Sequence, residues 1–246
     1  MTEKLQDIYA NLVANGSLNS DPAQQLVLSL LEDIRQHLQG RKTRKRGILG
    51  GLFHKPEDVP QGLYLWGGVG RGKSMLMDFF VNNLDITGKR RVHFHAFMQE
   101  IHQAMHEARK TGVTDAIAPV AKAIGQDVRL LAFDEMQISD ITDAMIVGRL
   151  FEALFAAGVV IVTTSNRAPD DLYKNGLNRQ LFVPFIEQIK TRMLVHELIS
   201  PTDYRQGRLA GSPVYFTPIN TGTRAEIDSI WQNLTHGESE ALTLQI

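Results

Sequence analysis

An apolar run at 62–66 (GLYLW) is followed at once by Gly67-Gly68-Val69-Gly70-Arg71-Gly72-Lys73-Ser74, and then by the helix-forming stretch KSMLMDFFVNNL. The octapeptide fits G-x-x-x-x-G-K-[ST], whose physical use is to wrap backbone N–H groups around a phosphate chain. Its glycines tolerate positive φ and carry no Cβ to obstruct the anion. The helix that follows offers unpaired N–H groups and the positive end of its dipole. In such a loop Lys73 reaches the β- and γ-phosphates, and the Ser74 hydroxyl ligates Mg²⁺. Strand, loop and helix in that order commit the chain to a parallel α/β sheet.

The rest of the sequence repeats the alternation. Apolar runs at 91–95, 128–133, 159–164 and 192–198 read as strands, and 73–84, 97–110, 140–157 and about 179–190 read as helices. Several strands are almost continuously apolar, as expected of a sheet covered on both faces. The expected fold is therefore α/β, a P-loop NTPase with a five-stranded parallel sheet flanked by helices. Two helices precede it: residues 2–14, and a second capped by Asp21 with Pro22 at its first position and Gly40 at its end. Three regions are expected: N-terminal helices and a basic loop (1–61), the ATPase core (62–200) and a short C-terminal segment (201–246), with a helix near 224–234.

A second chemical motif is Leu130-Leu131-Ala132-Phe133-Asp134-Glu135, a buried strand ending in two carboxylates. Asp134 at the strand's carboxyl end is placed to hold Mg²⁺, directly or through water. Glu135 can orient and deprotonate an attacking water as general base. At the end of the following strand Asn166 can share that water or the γ-phosphate. An arginine supplied in cis or in trans can stabilise transition-state charge, and Arg179 and Arg192 are candidates, either of which could act across a subunit interface. His93 and His95, alternating along one strand, and His102 and His106, four apart on a helix, have spacings a metal could use, but no third ligand accompanies them, and solvated or core histidines are the expected reading.

These strings together, GLYLWGGVGRGKSMLMD, HFHAFMQEIH, LLAFDEMQISDITDAMIVGRLFEALF, VVIVTTSNRAPDDLYKNGLNRQLFVPFI and DYR at 203–205, resemble the ZapE/AFG-like family of AAA+ ATPases. The N-terminal spacing Tyr9, Gly16, Asp21, Gln25 is similar too. The resemblance implies an AAA+ fold using ATP and Mg²⁺, with Gly67, Gly68, Val69, Gly70, Arg71, Gly72, Lys73 and Ser74 as the phosphate loop. It implies Asp134 and Glu135 as the acidic pair, Asn166 as the γ-phosphate sensor and Arg179 as the finger. It further implies a bacterial cell-division role with FtsZ or another divisome protein as partner, and ATP-dependent homo-oligomerisation. The family usually continues past DYR into a helical lid with a second sensor arginine; here 41 residues follow Arg205, and the lid is expected to be truncated or divergent.

Composition narrows the alternatives. A net charge of -1 argues against wholesale polyanion binding, although the run Arg41-Lys42-Thr43-Arg44-Lys45-Arg46 suits either a solvated linker or a local contact with DNA or a membrane surface. The absence of cysteine excludes disulfides and thiolate metal sites, and with no secretory or transit pattern a cytoplasmic location is expected. Two other functions use the same residues: a helicase-loader-like ATPase working with DNA, and a lidless ATP-binding scaffold with little turnover. The intact Glu135 argues against the second.

Overall fold

The computed structural model describes residues 3–40, 59–200, 216–218 and 220–235. The chain divides into two compact units, residues 1–201 and 202–246. In the first, α1 (Leu5–Ala14) and α2 (Pro22–Gly40) precede β1 (Gly62–Trp66) and α3 (Lys73–Asn82). Then come β2 (Lys89–His93), α4 (Phe94–Lys110), α5 (Ile117–Asp127), β3 (Leu130–Asp134) and α6 (Ile141–Ala156). The unit closes with β4 (Val160–Ser165), α7 (Val183–Arg192) and β5 (Met193–Glu197). In the second unit the described helix is α8 (Thr221–Thr235), with an Arg224–Asp228 ion pair one turn apart.

All strands pair in parallel in the order β2-β3-β4-β1-β5. Because side chains alternate across a strand, each central strand feeds two cores. Leu63, Leu65, Leu130, Ala132, Val160 and Val162 face α1, α2 and α3. Tyr64, Leu131, Phe133 and Ile161 face the opposite layer, where α4, α5, α6 and α7 pack. Phe133 is the hub of that second layer, with Phe97, Phe94 and Phe151 rings 4.7, 5.6 and 5.6 Å from its own. Clustered rings of this kind hold β3, and the acids at its end, against two helices.

Several expectations need correction. The second strand ends at His93 and the helix starts at Phe94, so His95 is helical and does not share a strand face with His93. His102 bonds Asp143 of α6 at 2.6 Å across the helix interface. Helix α5 was not expected; Pro119 and Gly125 lie inside it and break the local helical signal. The segment around 179 is a short 3₁₀ turn (Arg179–Leu181), and α7 begins only at Val183, with Pro184 in its first turn. The basic run 41–46, the DYR segment 203–205 and the tail beyond 235 lie outside the described residues. No described helix is long and apolar enough to cross a membrane.

Candidate active site

The site is built where β1 ends. Gly67 follows Trp66 with φ +150°, and a Cβ there would stand 2.6 Å from the Leu198 carbonyl oxygen, so only glycine lets the loop leave the sheet beside β5. Gly72, at φ +88°, caps α3 in the left-handed region and delivers Lys73 as the first helical residue. The Lys73 ammonium is buried and donates to the carbonyls of Gly67 (2.8 Å) and Gly68 (2.7 Å) and to Asn166 Oδ1 (2.9 Å). Loop and sensor position thus meet through one cation, because β4 lies next to β1 in the sheet.

Ser74 Oγ donates to Asp134 Oδ1 at 2.9 Å. Asp134 is only 3% exposed, and two further groups serve its carboxylate: the Thr164 hydroxyl donates to Oδ1, and Arg91 Nη2 donates to Oδ2 at 2.9 Å. Arg91 also pairs with Asp78 of α3. Both partners come from the strands flanking β3, with Thr164 on β4 and Arg91 on β2. A serine hydroxyl and a carboxylate side by side are hard oxygen donors, the set that Mg²⁺ takes together with phosphate oxygens and water. The residues fit that ion.

Glu135 stands just past β3 with φ +55°, a left-handed conformation that costs a non-glycine residue about 1–2 kcal/mol. Its backbone N–H is held by Thr164 Oγ1 at 3.0 Å, and its side chain is exposed. Glu135, Asn166, Arg167 and His95 line one cleft of about 340 Å³. The Tyr64 hydroxyl of β1 donates to the Arg167 carbonyl at 2.9 Å and Ser165 Oγ of β4 donates to the Met136 carbonyl at 2.9 Å, tying the end of β4 to β1 and to the end of β3. Burial pushes the Tyr64 phenol well above its ordinary value, so it remains a donor.

The structure therefore gathers Lys73, Ser74, Asp134, Glu135 and Asn166 around one loop. Arg179 is elsewhere: it is partly buried, its Nη2 donates to the Asp170 carbonyl, and Leu177 and Leu181 beside it are 70% and 60% exposed. Arg192, at the end of α7, is exposed. Sequence reasoning missed Thr164 and Arg91; both are ordinary residues of strand runs until the sheet order sets them beside Asp134.

Comparison with known proteins bears on the family and the fold. A family model described as AFG1-like ATPase matches residues 3–246. The chain is 39% identical over 249 residues to a protein of Escherichia coli (strain K12) called Cell division protein ZapE, covering 97% of this chain and 66% of that protein. It thus spans just under two thirds of that relative's length. Among solved structures, DnaI superposes with a TM-score of 0.52 at 16% identity, covering 76% of this chain and 87% of DnaI. AMPPCP-bound DnaA from Aquifex aeolicus superposes with a TM-score of 0.51 at 16% identity, covering 89% and 64%. At such identities the two structures speak for the fold alone.

Proposed function

This chain belongs to the AFG1-like ATPase family, and we propose that it hydrolyses ATP with Mg²⁺ to drive conformational work on a protein partner in cell division. The observation that carries the chemistry is the convergence on Asp134: the loop hydroxyl of Ser74 is already hydrogen-bonded to the strand-end carboxylate, with Glu135 one residue on. Bound Mg²⁺ would supply Lewis-acid neutralisation of the β- and γ-phosphate charge. The loop N–H groups and Lys73 hold the phosphates. Glu135 accepts a proton from the attacking water as its oxygen bonds to the γ-phosphorus and the bond to ADP breaks. Asn166, bonded to Lys73, positions water and γ-phosphate.

In this reading Arg179 acts in trans. Its place between two exposed apolar side chains, Leu177 and Leu181, suits a contact with a second copy, so activity requires assembly. The cell-division role follows the E. coli relative's name, with FtsZ or another divisome protein as the partner and the cytoplasm as the location. The regional division 1–61, 62–200 and 201–246 belongs to the same proposal.

The test is steady-state ATP hydrolysis against protein concentration for the wild type, Lys73→Ala, Glu135→Gln and Arg179→Ala. Specific activity is expected to rise with concentration, to vanish with Lys73→Ala and to fall at least about 100-fold with Glu135→Gln. Flat, near-zero wild-type turnover sinks the reading. Co-sedimentation with polymerised FtsZ tests the partner, and stimulation by DNA would point away from it.

A further inference from the structure

Behind the phosphate loop lies a side chain that the catalytic scheme does not use. Gln24, in the first turns of α2, is 1% exposed, and both ends of its amide are engaged. Its Nε2 donates to the Arg71 carbonyl at 3.3 Å, and its Oε1 accepts from the Tyr9 hydroxyl at 3.0 Å. Gln25, the residue singled out from the N-terminal spacing, is instead exposed and faces Ser20. Asp21 sets the register by accepting from the N–H groups of Ala23 (2.9 Å) and Gln24 (3.4 Å), while Tyr9 also donates to the Asn19 carbonyl at 3.1 Å. The loop is shaped to receive this amide: a Cβ on Gly72 would stand 2.7 Å from Gln24 Nε2.

We infer that Gln24 is a positioning residue for nucleotide binding, aligning the Arg71–Gly72 peptide of the phosphate loop, with Tyr9 holding Gln24. The inference rests on the ATP-binding reading above. Its physical basis is the planarity of the peptide unit. In a trans peptide the C=O and the next N–H point in opposite directions. A hydrogen bond that draws the Arg71 carbonyl back toward α2 therefore turns the Gly72 N–H to the other side of the loop, where phosphate oxygens are received. Glycine at φ +88° has no side chain to hold that peptide, so an external partner is needed. Tyr9 packs edge-on against Phe79 of α3 with ring centres 6.5 Å apart, which keeps the three-residue chain on the helix the loop feeds. Because the contact touches phosphate-binding backbone and neither Glu135 nor Asn166, it acts on affinity more than on turnover.

The test uses the full chain with Gln24→Met, which keeps length and apolar bulk but makes neither hydrogen bond, and with Tyr9→Phe. Binding of a fluorescent ATP analogue and of the matching ADP analogue is measured with Mg²⁺, alongside KM, kcat and the melting midpoint without added nucleotide. Gln24→Met is expected to weaken both analogues and raise KM by about 5–10-fold, the worth of one such bond, with kcat within about twofold of wild type. Tyr9→Phe is expected to shift the same quantities in the same direction by about 2–3-fold. Unchanged affinity and KM with a lowered melting midpoint would reduce Gln24 to a core residue and overturn the inference; so would a fallen kcat at constant KM. If Gln24→Met does not fold, Tyr9→Phe decides by the same criterion. A wild type that binds neither analogue refutes the ATP-binding reading itself, and that failure is separate because it precedes any variant.

Discussion

Thr164→Val is the substitution that most directly probes how the acids are held. Thr164 is 2% exposed, and its hydroxyl serves two masters: it donates to Asp134 Oδ1 and accepts the Glu135 N–H at 3.0 Å. Valine has the same shape without the hydroxyl. The change removes a hydrogen bond to a carboxylate, worth about 1.5–3 kcal/mol, and strands a part-buried N–H at about 1 kcal/mol, so a net loss of about 2–4 kcal/mol is expected. At about 2–4 °C per kcal/mol for a unit of this size, the melting midpoint should fall by roughly 5–15 °C. The catalytic effect is larger than the structural one. Glu135 sits at φ +55°, and the Thr164 oxygen holds its N–H; without it the backbone relaxes and the carboxylate moves off the water's path. A displacement of about 1 Å costs on the order of 100-fold, so kcat should drop about 10–100-fold while KM for ATP stays within about threefold. Thr164→Ser should restore most of kcat. The assays are steady-state hydrolysis at a temperature below the melting range of every variant, and differential scanning calorimetry through the transition. A valine variant with wild-type kcat, or one whose serine counterpart is equally inactive, would refute the reasoning.

Three further outcomes follow from other contacts. Arg91→Gln removes the guanidinium from Asp134 and Asp78, so the melting midpoint should fall without Mg²⁺ and rise more steeply than wild type on adding it; equal Mg²⁺ responses would show that the ion pair carries no local charge balance. Gly67→Ala forces a Cβ to within 2.6 Å of the Leu198 carbonyl at a φ that alanine resists, and should cost about 2–4 kcal/mol in a denaturant titration together with nucleotide affinity; a cost below about 1 kcal/mol would mean that the loop exit is not tightly built. His196 on β5 has its imidazole pKa lowered by burial, with Glu197 opposing, so the folded state binds fewer protons than the unfolded one. Its contribution is complete above the unfolded value near 6.5 and is lost as pH falls through the lower folded value, so His196→Gln should flatten the decline in stability between about pH 7 and 5.

Much of this protein could be read from the chain alone, and the readable part has one physical character. Residues 67–74 carry the phosphate-loop pattern in local backbone geometry, and a strand that ends in Asp134-Glu135 needs only its own apolar run to place acids at the end of that strand; both are decided within about ten residues. What could not be read depends on which strands lie side by side. The order β2-β3-β4-β1-β5 puts Thr164 and Arg91 on Asp134 and Asn166 on Lys73, pairings 30, 43 and 93 residues apart. Local spacing carries no record of such pairings, since they follow from the parallel register and from burial on both faces. Helix α5 was hidden by Pro119 and Gly125, whose local cost is offset by packing of Val120 and Ala121 in the core. The choice between Gln24 and Gln25 was likewise made by packing: one step along α2 turns a side chain by about 100°, and only Gln24 points at the loop. Sequence by itself determined that a phosphate loop and an acidic strand end exist in this chain; tertiary structure decided which residues hold them in working geometry, because that geometry is made by neighbours far away along the chain.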